Sequence, residues 1–185
     1  MKEYSAKDIR NVVLLGATKS GKTTLAEAML FEGKVIDRRG SVEEKSTVSD
    51  NDELEKLNQR SIYATPLYAE FMNKKINIID APGSDDFIGG AVSAFKVCEN
   101  GILVINAQQG VEVGTTGALR YAEKYNIPLV VAVNQLDGDK ADWEKTEAEL
   151  KEELGKKMII VQFPTATGAG FDGFIDVLTN RYYHF

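Results

Sequence analysis

NVVLLGATKSGKTTLAEAML, residues 11–30, carries the reading of the fold. Its apolar run at 12–15 has the length and the Val and Leu content of a buried strand, and the periodic stretch at 23–31 reads as a helix. Between them stands GATKSGKT, residues 16–23, with two glycines, a lysine and a hydroxyl residue at phosphate-loop spacing. Only a tight Gly-rich turn at a helix N-terminus lets main-chain N–H groups wrap a phosphate. Gly16, Lys19, Ser20, Gly21, Lys22, Thr23 and Thr24 are therefore the candidate phosphate-binding residues. Lys22 is expected to reach the β- and γ-phosphates, and the Thr23 hydroxyl to ligate Mg²⁺. The competing reading is a strand-to-helix turn with no ligand.

Outward from this stretch, apolar runs alternate with amphipathic ones, which argues for crossover units on a largely parallel sheet. Runs at 12–15, 76–79, 102–105, 129–133 and 158–161 read as doubly covered core strands. Residues 64–71 read as an edge strand, joined antiparallel to the 76–79 run through Asn73, Lys74 and Lys75. Helices are expected at 23–31, 87–99, 115–125 and 142–154. In the last, Trp143, Leu150 and Leu154 share one face, and Glu147 precedes Lys151 by one turn. The fold class is α/β: a P-loop NTPase three-layer sandwich on a mostly parallel six-stranded sheet with one antiparallel edge strand.

Residues 37–59 are charged and nearly free of large apolar side chains, so they are expected to form a mobile functional loop. The chain divides by this reading into a core at 1–163 and a segment at 164–185, which is the start of an inserted subdomain or a tail. The strand-like run at 174–178 has no evident packing partner.

The 185 residues suit one domain. Twenty-eight acidic against 22 basic side chains give a net charge of −6, and no basic cluster tracks a nucleic-acid backbone. The start, MKEYSAKDIR, lacks an apolar leader region, and no later run approaches a membrane span, so the expected location is the cytoplasm. A monomer is expected. Cys98, the single cysteine, falls on the apolar stripe Phe87, Ile88, Ala91, Val92, Phe95 and reads as a packed structural thiol. His184, the single histidine, sits in an aromatic tail and reads as structural or merely disordered.

Two further elements follow strand ends. Asp80-Ala81-Pro82-Gly83 closes the 76–79 run, where Asp80 would bind Mg²⁺ through water and the Gly83 N–H could sense a γ-phosphate. Asn134-Gln135-Leu136-Asp137 closes the 129–133 run. A carboxylate there can accept two N–H bonds from the N1 and N2 edge of guanine, whereas adenine offers one donor and a repelling lone pair. The expected ligands are GTP or GDP with Mg²⁺, with Asn134, Gln135 and Asp137 at the base.

Taken together these elements resemble the translational GTPases, and within them the GTP-binding domain of elongation factor G and its paralogues. The likeness is carried by residues 11–30, by GSVEEKSTVSDNDELEK at 40–56, INIIDAPGSDDFIGG at 76–90, GVEVGTTGALRYAEKYNIPLVVAVNQLD at 110–137 and FDGFIDVL at 171–178. The resemblance implies a fragment of a longer factor that contacts the ribosome in its GTP state and acts through further domains.

Four positions depart from that family's pattern. Ser84 stands where the family carries a catalytic histidine that orients the attacking water, and serine is too short to reach it. Tyr63 aligns with the loop threonine that ligates Mg²⁺, with Thr65 or Thr47 as stand-ins. Gln135 replaces a lysine that lies along the guanine face, and Lys19 replaces an aspartate, where it could set a fixed positive charge beside the phosphates. The expected outcome is a GTP binder with slow hydrolysis, because phosphoryl transfer depends on positioning and charge stabilisation. The alternatives are a ribosome-protection factor of the same family, a pseudo-GTPase that only docks on the ribosome, and a small-molecule P-loop kinase.

Overall fold

The structure is a computed structural model that describes residues 3–185; Met1 and Lys2, on which the leader reading partly rests, lie outside the described residues. It comprises two compact units, Met1–Val104 with Val113–Ala132, and Ile105–Glu112 with Val133–Phe185.

The first unit holds most of a five-stranded sheet in the order β2-β3-β1-β4-β5. The strands are β1 (Ile9–Leu15), β2 (Thr65–Phe71), β3 (Lys74–Asp80), β4 (Asn100–Asn106) and β5 (Leu129–Asn134). β1 runs parallel to β3 and β4, and β2 lies antiparallel to β3 at the edge. The β2–β3 hairpin turns on Met72 and Asn73, both at positive φ (46° and 59°), the backbone pattern of a two-residue type I′ turn. The expected turn at 73–75 is thus displaced toward the N-terminus.

Helix α1 (Lys22–Glu32) packs Ala26 against Leu14, Ala69 and Ile78 of the sheet, with Leu25 and Met29 at the margin. Burying Val13, Leu14, Leu15, Ile78, Leu103 and Val104 almost completely accounts for the strand runs lacking a polar face. Helices α3 (Ile88–Phe95) and α4 (Val113–Tyr125) are joined by Phe95, whose ring lies 6.5 Å from Tyr121 and 6.0 Å from Tyr125.

In the second unit, α5 (Trp143–Leu154) starts at Asp142, whose carboxylate accepts the Lys145 N–H at 2.9 Å. It buries Leu150 and carries the expected Glu147–Lys151 ion pair. The run at 162–184 makes its own antiparallel sheet of β6 (Gln162–Pro164), β7 (Gly173–Asp176) and β8 (Arg181–His184). The partner that the 174–178 run lacked is therefore its neighbours in sequence, with Phe174 stacked on Tyr183 at 5.1 Å.

Three expectations are corrected. The main sheet has five strands, because residues 158–161 form no strand and Ile159 is 81% exposed. A short apolar run shows burial preference but not pairing, and here the chain pairs only from Gln162 onward, with β7. The expected helix at 87–99 is a 3₁₀ turn, Asp85–Phe87, followed by the shorter α3. Its end tightens through Lys96 N–H to Ser93 O (3.2 Å) and Val97 N–H to Ala94 O (3.1 Å), which leaves Cys98 beyond the helix but still buried. Burial pushes that thiol up to about 11. Finally, the stretch at 37–59 contains α2 (Glu53–Asn58), opened by a reciprocal capping box between Asp52 and Glu55.

Candidate functional site

Parallel register assembles the phosphate end. Leu14 of β1 lies opposite Asp80 of β3, and the Ala81 N–H donates to Leu14 O at 3.3 Å, so the turns leaving both strands emerge side by side. Gly16 adopts φ 131°, and a Cβ there would collide with the Val104 carbonyl oxygen of β4. Glycine is required on both counts. Lys19 takes a left-handed φ of 64° with its side chain exposed, and Gly21, at φ 100°, caps α1. Ser20, Lys22 and Thr23 are buried, and Thr24 is exposed.

Lys22 extends its ammonium back across the turn, where Nζ donates to Ala17 O at 2.7 Å. Gly83 lies against the same feature, since a Cβ there would fall 2.5 Å from Lys22 Nζ and 2.7 Å from the Ala17 carbonyl carbon. The Asp80–Gly83 turn and the phosphate loop are thus in contact through a glycine that leaves no room for a side chain.

Asp80 is fully buried. Its Oδ2 accepts hydrogen bonds from Thr23 Oγ1 and Ser49 Oγ, both at 2.7 Å, while Oδ1 has no hydrogen-bond partner among the described residues. Burial raises its carboxyl above the ordinary carboxylate value, against the Ser49 and Thr23 hydrogen bonds and the Lys22 charge. Asp50 is also buried with an unmatched Oδ1. Its carboxyl is raised by burial and by the charges of Asp80 and Glu55, while a hydrogen bond from Ser61 and the Lys22 charge oppose the shift. Ser61 Oγ lies 3.3 Å from Thr23 Oγ1.

Two buried carboxylates, each with an open oxygen, and the hydroxyls of Thr23, Ser49 and Ser61 form a hard-oxygen set that fits Mg²⁺. Among the described residues no group of three or more His, Cys, Asp or Glu side chains forms an all-protein cage.

Ser49, Asp50 and Ser61 were not singled out from the sequence. Their only signal was the polar composition of the loop, because nothing in their spacing marks them. Of the threonines considered as stand-ins, Thr65 donates to Ser49 O at 3.3 Å and Thr47 Oγ1 accepts the Asp50 N–H at 3.3 Å. Tyr63 is 55% exposed, and its main-chain N–H donates to Glu55 Oε1 at 3.0 Å. Ser84 Oγ donates to Asp86 Oδ2 at 3.3 Å, with Ser84 half-buried.

The second unit carries the remaining candidates. Asn134 ends β5 and its carbonyl accepts the Ala107 N–H at 2.9 Å. Gln135 turns the chain at φ 59° and its Oε1 accepts from Gln108 Nε2 at 3.4 Å. Asp137 is exposed on the turn closed by the Gly138 N–H to Gln135 O at 3.2 Å, and the Gly168 N–H ties the 168–170 turn to Leu136 O at 2.7 Å.

A parallel sheet with a Gly-rich turn leading from β1 into α1, a buried lysine in that turn, and an Asp-x-x-Gly turn against it define a P-loop GTPase fold. The family described as "Elongation factor Tu GTP binding domain" matches residues 7–181, and this chain belongs to it. The chain is 32% identical over 179 residues to elongation factor G of Mycoplasma genitalium, and equally to an elongation factor G-like protein of Thermotoga maritima. In both cases the match covers 97% of this chain and 26% of the relative. A crystal structure of a Thermus thermophilus protein superimposes with a TM-score of 0.89 at 33% identity, over 96% of this chain and 26% of that one. The chain thus spans about a quarter of the length of the proteins it matches. Among the described residues no helix is long and apolar enough to cross a membrane.

Proposed function

We propose that this chain binds GTP and GDP with Mg²⁺ and hydrolyses GTP slowly, as the nucleotide-binding part of a longer, cytoplasmic, monomeric factor that works on the ribosome. The observation that carries the reading is the joint placement of Lys22, Thr23 and Asp80, with Thr23 Oγ1 donating to Asp80 at 2.7 Å beneath the glycine turn. Main-chain N–H groups of 16–24 would hold the β-phosphate, and Lys22 would leave Ala17 O for the β- and γ-phosphate oxygens. Thr23 and Asp80, with Ser49, Asp50 and Ser61 near them, would hold Mg²⁺ directly or through water. The ion supplies charge neutralisation on the β- and γ-phosphates when bound.

Asn134, Gln135 and Asp137 would select the base, with Asp137 accepting two N–H bonds from guanine. Residues 1–163 would form the core, and 164–185 the start of an inserted subdomain. Slow hydrolysis follows from Ser84, whose short side chain cannot hold an attacking water, and from Tyr63, which brings no small hydroxyl to the metal side. Those same two positions favour the second reading, a pseudo-GTPase that only docks.

Calorimetric titration of GDP, GTP and ATP with and without Mg²⁺ tests the proposal. Saturable, Mg²⁺-dependent binding of guanine nucleotides over ATP is the expected result. No binding of either guanine nucleotide at millimolar concentration sinks it and leaves the docking module.

A further inference from the structure

The stretch at 40–63 has few large apolar side chains to bury, yet it lies closed over Asp80. Two buried carboxylates account for this. Glu27, one helical turn beyond Thr23 on the same face of α1, is 1% exposed. Its Oε2 accepts the Gly40 N–H at 2.8 Å and its Oε1 the Val48 N–H at 2.6 Å. Glu55, 2% exposed on α2, accepts the Ile62 and Tyr63 N–H groups on Oε1, both at 3.0 Å, and the Asp52 N–H on Oε2 at 3.3 Å.

Each clasp ends beside a residue of the metal-side cluster. Val48 is followed by Ser49 and Asp50, and Ile62 is preceded by Ser61. We infer that Glu27 and Glu55 are positioning residues: they hold the loop by its main chain and thereby set Ser49, Asp50 and Ser61 at Thr23 and Asp80. The physical basis is that a buried carboxylate accepting main-chain N–H groups makes strong, directional bonds whatever side chains the donating residues carry. A loop of any polar composition can be fastened in this way. Glu27 also couples it to α1, the helix that begins with Lys22 and Thr23.

The metal and nucleotide consequences rest on the proposed function, but the clasp does not, so the test separates them. Hydrogen exchange is measured on the nucleotide-free 185-residue chain for wild type, Glu27→Gln and Glu55→Gln. The amide NH₂ introduced at residue 27 faces an N–H donor at one of its two positions, so one bond is replaced by a repulsive pair.

Expected are increases of about tenfold or more at 40–50 for Glu27→Gln and at 52–63 for Glu55→Gln, with β1 and β3 unchanged. In parallel, calorimetry with GDP should show several-fold more Mg²⁺ needed for half-maximal binding in each variant, an effect that a purely structural role would not produce. Unchanged exchange in these segments, or a rise spread evenly over the chain with a lowered Tm, overturns the inference. Should Glu27→Gln fail to fold, Glu27→Asp, which keeps the charge but withdraws it by one methylene, is judged by the same criterion. If wild type binds no GDP, the functional proposal fails and exchange alone decides the clasp.

Discussion

The turn at 16–23 and the loop at 40–63 flank the same carboxylate, Asp80, but they are built by opposite means. The turn is self-made: positive φ at Gly16, Lys19 and Gly21, one helix N-terminus, and a lysine folded back onto Ala17 O five residues away. The loop is held by two residues outside it, Glu27 and Asp80, and by one far along its own length, Glu55. Its main chain hangs on Glu27, its Ser49 on Asp80 and its residues 62 and 63 on Glu55, contacts that reach across 7 to 31 positions of sequence. A locally built element keeps its shape when a distant residue changes, whereas a clasped one loses its shape one bond at a time.

The sharpest way to break this comparison is Lys22→Ala. It leaves the turn's backbone intact but removes the buried lysine proposed to reach the phosphates. GTP affinity should fall by about 100- to 1,000-fold in calorimetry, the scale of charge-assisted contacts to phosphate, while Tm hardly moves. A loss no larger than that of the loop variants would mean that the turn is not the principal site.

A smaller effect is expected from Ser84→His, which supplies a side chain long enough to hold a water near the phosphate end. Single-turnover GTP hydrolysis should rise by about tenfold or more, with GTP affinity nearly unchanged. An unchanged rate would show that slow hydrolysis has another cause.

The smallest effect concerns the loop alone. Asp50 and Asp80 have folded-state pKa values raised above their ordinary ones by burial. A carboxyl whose pKa is raised on folding contributes stability below its unfolded value of 3.8, and that contribution is lost as pH rises through the folded value. Without nucleotide and Mg²⁺, the chain should therefore gain from Asp50→Asn at pH 7, by a few degrees in Tm, and the gain should shrink toward pH 4. A Tm difference independent of pH would show that Asp50 is not strained by burial beside Asp80.

Most of the sheet could be read from the chain, because strands β1, β3, β4 and β5 are short Val- and Ile-rich runs, although β5, expected to be covered on both faces, lies at the sheet edge and leaves Val130 61% exposed. The phosphate turn could be read for a similar reason, since its demands fall on consecutive residues. The small sheet at 162–184 was only half visible. Phe174 and Tyr183 mark strands, but nothing in a run such as 158–161 says whether it will find a partner. At the site, Lys22, Thr23 and Asp80 were marked by motif. Ser49, Asp50, Ser61, Glu27 and Glu55 were not, because an acidic or hydroxyl residue in a polar stretch or on a helix looks solvated until its partner is known.

The amino-acid sequence by itself determined the strand-turn-helix at 11–30, the Asp-x-x-Gly turn at 80–83 and the family, since each rests on local spacing and backbone preference. The tertiary structure decided that a polar loop would be fastened rather than free, and which of its hydroxyls would meet Asp80. Those outcomes depend on bonds between residues far apart in the chain, and only the parallel register of β1 and β3, with α1 laid against them, brings such residues within hydrogen-bonding distance.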